Sequence, residues 1–141
     1  MLTTAADHIR TALARLGRAP ANWGLIRADL HPWNVLWQRG TVGVIDFADC
    51  GPGPYLYDLA VALDNWMEEG SSAARRAALL EGYSQVRPPP AGVEGWLRLF
   101  TAANCYKTIT RWAVATPDLR VPPARVVSMV QRLGALIAGP G

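Results

Sequence analysis

The sequence predicts a mainly helical α+β protein with one small β-hairpin. Its 141 residues, half of them hydrophobic and 18% charged, suffice to bury one modest core and exclude disorder for most of the chain. Beyond Pro54, apolar residues recur at helical spacing. Before it, two short apolar segments at 35–37 and 42–45 flank a tetrapeptide whose glycine suits a tight hairpin loop. We therefore predict a single domain over residues 1–141.

Three parts of this domain differ in character. Residues 1–21 form a leading helix and a linker, because a capping-box pattern at Thr4–Asp7 opens a helix over 4–16 that Gly17 ends. Residues 22–54 contain a strand over Trp23–Ile26, a polar loop, the hairpin and a second polar loop. Residues 55–141 form a helical subdomain.

Within that subdomain the pattern predicts four helices. The stretch Cys50-Gly51-Pro52-Gly53-Pro54 that precedes them is predicted to be irregular, because proline lacks a backbone donor. The predicted helices cover residues 55–68, a segment from Ser71 or Ser72 to near Gly82, residues 93–114, and a segment from Pro122-Pro123 to Ile137.

Several classes of protein do not fit the composition. No apolar run approaches the length of a membrane span, and the N-terminus lacks the pattern of a signal peptide, so we expect a soluble, cytoplasmic protein that binds no membrane. The net charge is only +3 and the basic residues form no cluster along the chain, which argues against nucleic acid as a partner. Cys50 and Cys105 have no partner at zinc-ligand spacing and are expected to be buried thiols.

Acidic and amide side chains lie at both ends of the predicted hairpin segment. Asn34 enters its first strand and Asp46 leaves its second, so pairing of the strands brings them to the same end, with Asp49 three residues further on. Hard oxygen ligands in such a cluster favour Mg²⁺. Asp29 could then accept a hydrogen bond from a substrate hydroxyl. The alternative is that these residue types only form turns.

The spacing of Asp29, Asn34 and Asp46, taken together, favours a catalytic role over a turn-forming one. Asp29-x-x-x-x-Asn34, a short hairpin and then Asp46-Phe47 follow the order of the kinase catalytic loop and metal loop. The chain resembles the C-terminal lobe of the aminoglycoside phosphotransferase and choline kinase-like family, which has the protein-kinase-like fold. The segments that carry this resemblance are Gly24-Leu25-Ile26-Arg27-Ala28-Asp29-Leu30-His31-Pro32-Trp33-Asn34-Val35-Leu36, Val44-Ile45-Asp46-Phe47-Ala48-Asp49-Cys50-Gly51 and Tyr55-Leu56-Tyr57-Asp58-Leu59-Ala60.

The resemblance implies ATP- and Mg²⁺-dependent phosphorylation of a small-molecule hydroxyl. By this resemblance Asp29 is the catalytic base or orienting residue, and Asn34 and Asp46 are the Mg²⁺ ligands. Asp58 would brace the catalytic loop through hydrogen bonds, and His31 would help to fix it. Arg27 stands where the family usually has a histidine that packs behind this loop, so we expect impaired positioning rather than lost chemistry.

One part of a kinase has no counterpart in the sequence. Kinases hold ATP with a Gly-rich loop and a lysine that precede the catalytic loop, whereas the 28 residues before Asp29 contain no lysine and Lys107 lies far downstream. We therefore expect the N-terminal nucleotide lobe to be absent. The chain is then a fragment, a subunit that needs a separate nucleotide lobe, or a catalytically silent lobe that acts as a binding or interaction module.

The charge of the C-terminal region bears on the substrate. Residues 88–141 carry six basic groups against two acidic ones, a field that would repel a polycationic aminoglycoside. We expect a neutral or carboxylate-bearing hydroxyl compound, such as a hydroxy amino acid or sugar acid, anchored by Arg98 or Arg111. The alternative is that these arginines are solvated surface charge. The charged residues are Arg98, Lys107, Arg111, Arg120, Arg125 and Arg132 against Glu94 and Asp118.

Overall fold

A computed structural model describes residues 2–66, 72–116 and 122–138. Helices dominate, and four short strands form two antiparallel two-stranded sheets. The mainly helical class with a small hairpin is therefore confirmed. In chain order the elements are α1 (Leu2–Leu16), β1 (Trp23–Ile26), a 3-10 turn (Pro32–Asn34), β2 (Val35–Gln38), β3 (Thr41–Val44), β4 (Gly51–Pro54), α2 (Tyr55–Trp66), α3 (Ser72–Val86), α4 (Val93–Ala115) and α5 (Ala124–Ala138).

The Gly-Pro-Gly-Pro stretch forms a strand, so the prediction of irregular backbone there is wrong. β4 pairs with β1 in antiparallel register, with Gly53 opposite Gly24, and Tyr55 N–H donates to the carbonyl of Asn22 just beyond the ladder (3.1 Å). Hydrogen-bonded and non-hydrogen-bonded pairs alternate in such a ladder. Both prolines of β4 therefore occupy positions whose backbone nitrogen faces away from β1, where a missing donor costs no ladder bond.

The hairpin of β2 and β3 follows its prediction. Val35 pairs with Val44 and Gln38 with Thr41, which leaves a two-residue loop. Arg39 and Gly40 in that loop both have positive φ (48° and 78°), as a type I′ turn requires. Nearly all hairpin side chains are exposed.

The chain divides into two compact units. In the unit of residues 18–97, α2 contacts β1, β4 and α3, and its buried face supplies most of the apolar core. The other unit, residues 1–17 and 98–141, has a core cluster in which Ala5, Cys105 and Leu133 are fully buried. The residues of the α2 core face are Leu56, Leu59, Ala60, Val61, Ala62 and Leu63.

The helices lie close to their predicted positions, with one difference. α3 continues through Gly82 to Val86, and Arg87 N–H still donates to the carbonyl of Tyr83 (2.9 Å). A glycine costs about 1 kcal/mol inside a helix but does not end it unless the chain turns there. The described residues do not include residue 68, the predicted end of the helix over 55–68, or Ser71, one of the two predicted starts of the next helix. They also do not include residues 117–121. None of the described helices combines the length and apolar character that a membrane span needs.

Candidate active site

The catalytic-loop segment is held from behind by a carboxylate of α2. Asp58, in the first turn of that helix, accepts hydrogen bonds from the backbone N–H groups of Arg27 (2.7 Å) and Ala28 (2.6 Å). Ala28 has φ of 65°, a left-handed conformation that is strained for a residue with a Cβ. Asp58 therefore fixes the backbone at the point where the chain turns out of β1 toward Asp29.

Arg27 connects the two loops of the candidate site. Its guanidinium donates through Nη1 to the carbonyl of Asp29 and through Nη2 to the carbonyls of Ile45 (2.7 Å) and Asp46. Nη1 also lies 3.7 Å from Oδ2 of Asp29. The side chain is only 8% exposed, and its Nε has no hydrogen-bond partner among the described residues. A residue on one side of the catalytic loop thus sets the position of the Asp46 loop as well.

Asp29, His31 and Asn34 form a small polar cluster. The Asp29 carboxylate is about one-third exposed, and its Oδ2 lies 3.3 Å from Nε2 of His31. The buried Asn34 directs its side-chain Nδ2 toward the carbonyl of Asp29 (3.3 Å) and toward Nε2 of His31 (3.0 Å). When Nε2 of His31 accepts that proton, the amide oxygen of Asn34 is left as the group that can face a cation.

The hairpin register brings Asn34 and Asp46 to one end of the hairpin. Val35 and Val44 are paired, and Ile45 N–H donates to the carbonyl of Asn34 (3.0 Å), so Asp46 directly follows the residue bonded to Asn34. Asp46 is exposed and has φ of 59°, and its Oδ1 accepts from Ala48 N–H (3.3 Å).

This donor set fits a magnesium ion. One amide oxygen and one carboxylate are both hard oxygen donors, and the exposure of Asp46 leaves room for the water and phosphate ligands that Mg²⁺ retains. No group of three or more His, Cys, Asp and Glu side chains within residues 2–66, 72–116 and 122–138 could hold a metal by itself. Metal binding here would thus depend on Asn34 together with the substrate.

The remaining predicted residues lie elsewhere. Asp49 is half-buried in the loop after Asp46. Arg98 belongs to the other unit, where its guanidinium donates to the carbonyls of Leu136 (2.9 Å) and Ala135 (2.8 Å) near the end of α5. Arg111, also in that unit, lines a surface cavity of about 400 Å³ with Thr110 and Val114. A role for either arginine in substrate binding stays a prediction.

Sequence reasoning did not single out Ala28 or the bonds of Arg27 to carbonyl groups of both loops. Glycine at position 28 would have indicated a left-handed residue, and alanine gives no such indication. The bonds of Arg27 to Ile45 and Asp46 join residues 18 and 19 positions apart, which no local pattern reveals.

Comparison with known proteins places the chain in a family. Residues 2–100 match the model of the phosphotransferase enzyme family, and the chain belongs to this family. The homoserine kinase of Neisseria meningitidis serogroup B is 32% identical over 112 residues, which are 77% of this chain and 36% of that protein.

Solved structures agree on the fold. An amicoumacin kinase, determined in complex with AMP-PNP, Ca²⁺ and Ami, superposes on 96% of this chain with a TM-score of 0.76 at 23% identity. A microcompartment-associated aminopropanol kinase superposes on 97% of it with a TM-score of 0.67 at 27% identity. The matched regions are 43% and 42% of those chains, so this chain spans less than half the length of the proteins that it resembles. The predicted kinase-like fold and family are confirmed.

Proposed function

We propose that this chain supplies the catalytic and metal-binding half of an ATP-dependent phosphotransferase that phosphorylates a small-molecule hydroxyl. The observation that carries the proposal is the convergence of Asp29, Asn34 and Asp46. Asn34 bonds to the Asp29 carbonyl through its side chain and to Ile45 through its backbone, and Asp46 follows directly. Family membership supports the same reaction class.

Asp29 is the residue that acts on the substrate. Its partly exposed carboxylate accepts the proton of the substrate hydroxyl as the hydroxyl oxygen forms a bond to the γ-phosphorus of ATP. The bond between that phosphorus and the β–γ bridging oxygen breaks, and ADP leaves. Arg27 holds Asp29 in place through its hydrogen bond to the Asp29 carbonyl, and His31 positions Asn34 by accepting from its side-chain amide.

Asn34 and Asp46 would hold Mg²⁺ through their side-chain oxygens. When bound, the ion neutralises charge on the phosphate oxygens. Asp58 fixes the backbone of the catalytic loop, and Asp49 lies in the metal loop three residues after Asp46.

The proposed substrate is a neutral or carboxylate-bearing hydroxyl compound, with hydroxy amino acids first. The excess of basic groups in residues 88–141 disfavours a polycation. Similarity to homoserine kinase, which is named for a hydroxy amino acid, supports this choice. Arg98 and Arg111 are the candidate anchors, and the guanidinium of Arg98 also donates to carbonyl groups of α5.

Turnover requires a nucleotide-binding lobe in addition to the residues described here. Positioning supplies most of the catalysis in phosphoryl transfer, and the sequence before Asp29 contains no lysine that could hold the phosphates. We therefore expect little or no phosphotransferase activity from the 141 residues alone.

The test is a substrate screen on a two-lobe enzyme in which a nucleotide-binding lobe of the family is joined to this chain. ATP-dependent phosphorylation of hydroxy acids, lost in Asp29→Asn and retained in the surface control Asp7→Asn, supports the proposal. Preferential phosphorylation of aminoglycosides refutes the substrate class. Full activity of Asp29→Asn refutes its catalytic role, and robust activity of the 141 residues alone refutes the need for a second lobe.

A further inference from the structure

Arg27 places a permanent positive charge directly behind the candidate metal site. Arginine stays protonated at any pH that a protein survives, and this guanidinium is more than nine-tenths buried. A buried charge is tolerated when it is paired and hydrogen-bonded. Here the partners are the Asp29 carboxylate and carbonyl groups from the two loops that carry the site.

The loops would otherwise be hard to hold together without a metal. Backbone carbonyls of Asp29 and Asp46 point at the same guanidinium, and Oδ2 of the Asp29 carboxylate lies 3.7 Å from its Nη1. Like charges and carbonyl dipoles that converge repel one another unless a cation lies between them. Arg27 provides that cation from the protein side.

We propose that Arg27 is an internal counter-cation, which keeps the candidate metal site formed in the absence of metal and weakens the binding of the metal itself. Two effects follow from one charge. The guanidinium aligns the Asp29 and Asp46 loops before any ion binds, and its charge would repel a divalent ion held by Asn34 and Asp46. The inference rests on the proposed metal site and makes Arg27 a positioning residue for it.

The direction in which metal affinity changes when Arg27 is replaced separates this role from a merely structural one. Loss of a structural residue weakens binding at the site that it supports. Loss of the Arg27 charge removes a repulsion. For a single and a double positive charge about 6 Å apart with water-like screening, Coulomb's law makes that repulsion worth roughly tenfold in affinity. A neutral residue at position 27 should therefore bind a divalent ion more tightly.

The test measures Mn²⁺ binding to the 141-residue chain by the electron paramagnetic resonance signal of free Mn²⁺. The variants are Arg27→Gln, which removes the charge, Arg27→Lys, which keeps it, and Asp46→Asn, which removes a proposed ligand. We expect affinity to rise about tenfold in Arg27→Gln, to stay within about threefold in Arg27→Lys and to be lost in Asp46→Asn. Circular dichroism establishes that each variant is folded.

The outcomes distinguish the inference from the function on which it rests. Unchanged Mn²⁺ binding in Asp46→Asn overturns the proposed metal site itself. Loss of binding in Asp46→Asn with unchanged or weaker binding in Arg27→Gln overturns the counter-cation alone.

A second measurement needs no variant and stands if Arg27→Gln fails to fold. Amide hydrogen exchange in residues 28–34 and 45–49 of the wild-type chain is compared in EDTA and in saturating Mg²⁺. We expect the same protection in both conditions, because Arg27 already holds the loops. Protection that appears only with Mg²⁺ overturns the inference.

Discussion

The two hydrogen bonds to Asp58 give the sharpest test of how the catalytic loop is held. Asp58→Asn keeps the shape of the side chain but replaces one acceptor oxygen by an NH₂ group. One of the N–H groups of Arg27 and Ala28 then faces a donor instead of an acceptor. A hydrogen bond to a charged group contributes about 1.5–3 kcal/mol, and a buried N–H left without a partner costs about 1–3 kcal/mol.

We therefore expect Asp58→Asn to lower the free energy of unfolding by about 2–3 kcal/mol, measured by urea titration. If the loss is local, amide exchange in residues 27–34 should accelerate about 30-fold to 140-fold, since each 1.4 kcal/mol is a factor of ten. The control is Asp7→Asn, which removes an exposed ion pair with Arg10 and should cost less than about 1 kcal/mol.

Ala28 provides an independent check on the same loop. Its φ of 65° costs an alanine about 1–2 kcal/mol that a glycine does not lose to steric strain. Ala28→Gly should therefore recover part of the stability lost in Asp58→Asn. The reasoning is refuted if Asp58→Asn unfolds within about 0.5 kcal/mol of the wild type and leaves exchange of the loop unchanged.

Three further predictions concern the surroundings of the site. Gly24→Ala should destabilise the protein by about 1–3 kcal/mol in urea titration, because the new Cβ would lie 2.7 Å from Cζ of Tyr55. The control Gly43→Ala, whose new Cβ would have its nearest neighbour at 3.9 Å, should change stability little. Equal losses of stability in the two variants would contradict this packing. Burial raises the pKa of Tyr83 above 10.0, so its neutral phenol contributes stability that is lost as pH rises from about 10 through the raised pKa. The wild type should therefore lose more stability than Tyr83→Phe between pH 9 and pH 11. Equal losses in the two proteins would contradict the raised pKa. Arg98→Ala should lower stability by about 1–2 kcal/mol, because two carbonyl groups near the end of α5 lose their donor; thermal unfolding at the wild-type temperature would contradict this.

Sequence was most informative where a local rule determines the structure. The hairpin follows from two apolar segments and a glycine-containing loop, and its register follows from the two-residue turn. Placement of Asn34 and Asp46 at one end of the hairpin then needs no further information. β1 was predicted with its observed bounds for the same reason, since a short apolar run lies between two groups of turn-forming residues.

β4 shows why the rest could not be predicted. Glycine and proline are poor strand formers, so local propensity predicts a loop where Gly51–Pro54 forms a strand. The strand exists because β1 supplies a partner 25 to 31 residues earlier in the chain, from Ile26 opposite Gly51 to Trp23 opposite Pro54, and because its prolines fall at the non-bonded positions. Gly53 also allows the side chain of Ile26 to lie against its Cα, which any larger residue would obstruct.

One negatively charged and one positively charged side chain stabilise the irregular backbone of the candidate site. Asp58 accepts the N–H groups of Arg27 and Ala28, and the Arg27 guanidinium donates to carbonyl groups of Asp29, Ile45 and Asp46. Backbone polar groups that lack a helix or sheet partner must find one elsewhere when they are buried. One anion and one cation meet this requirement for both loops, and neither touches the substrate in the proposed reaction. The positions of Asp29 and Asp46 therefore depend on two charged residues behind the site. Substitution of either charged residue should shift Asp29 relative to Asp46 and leave the two carboxylates themselves unchanged.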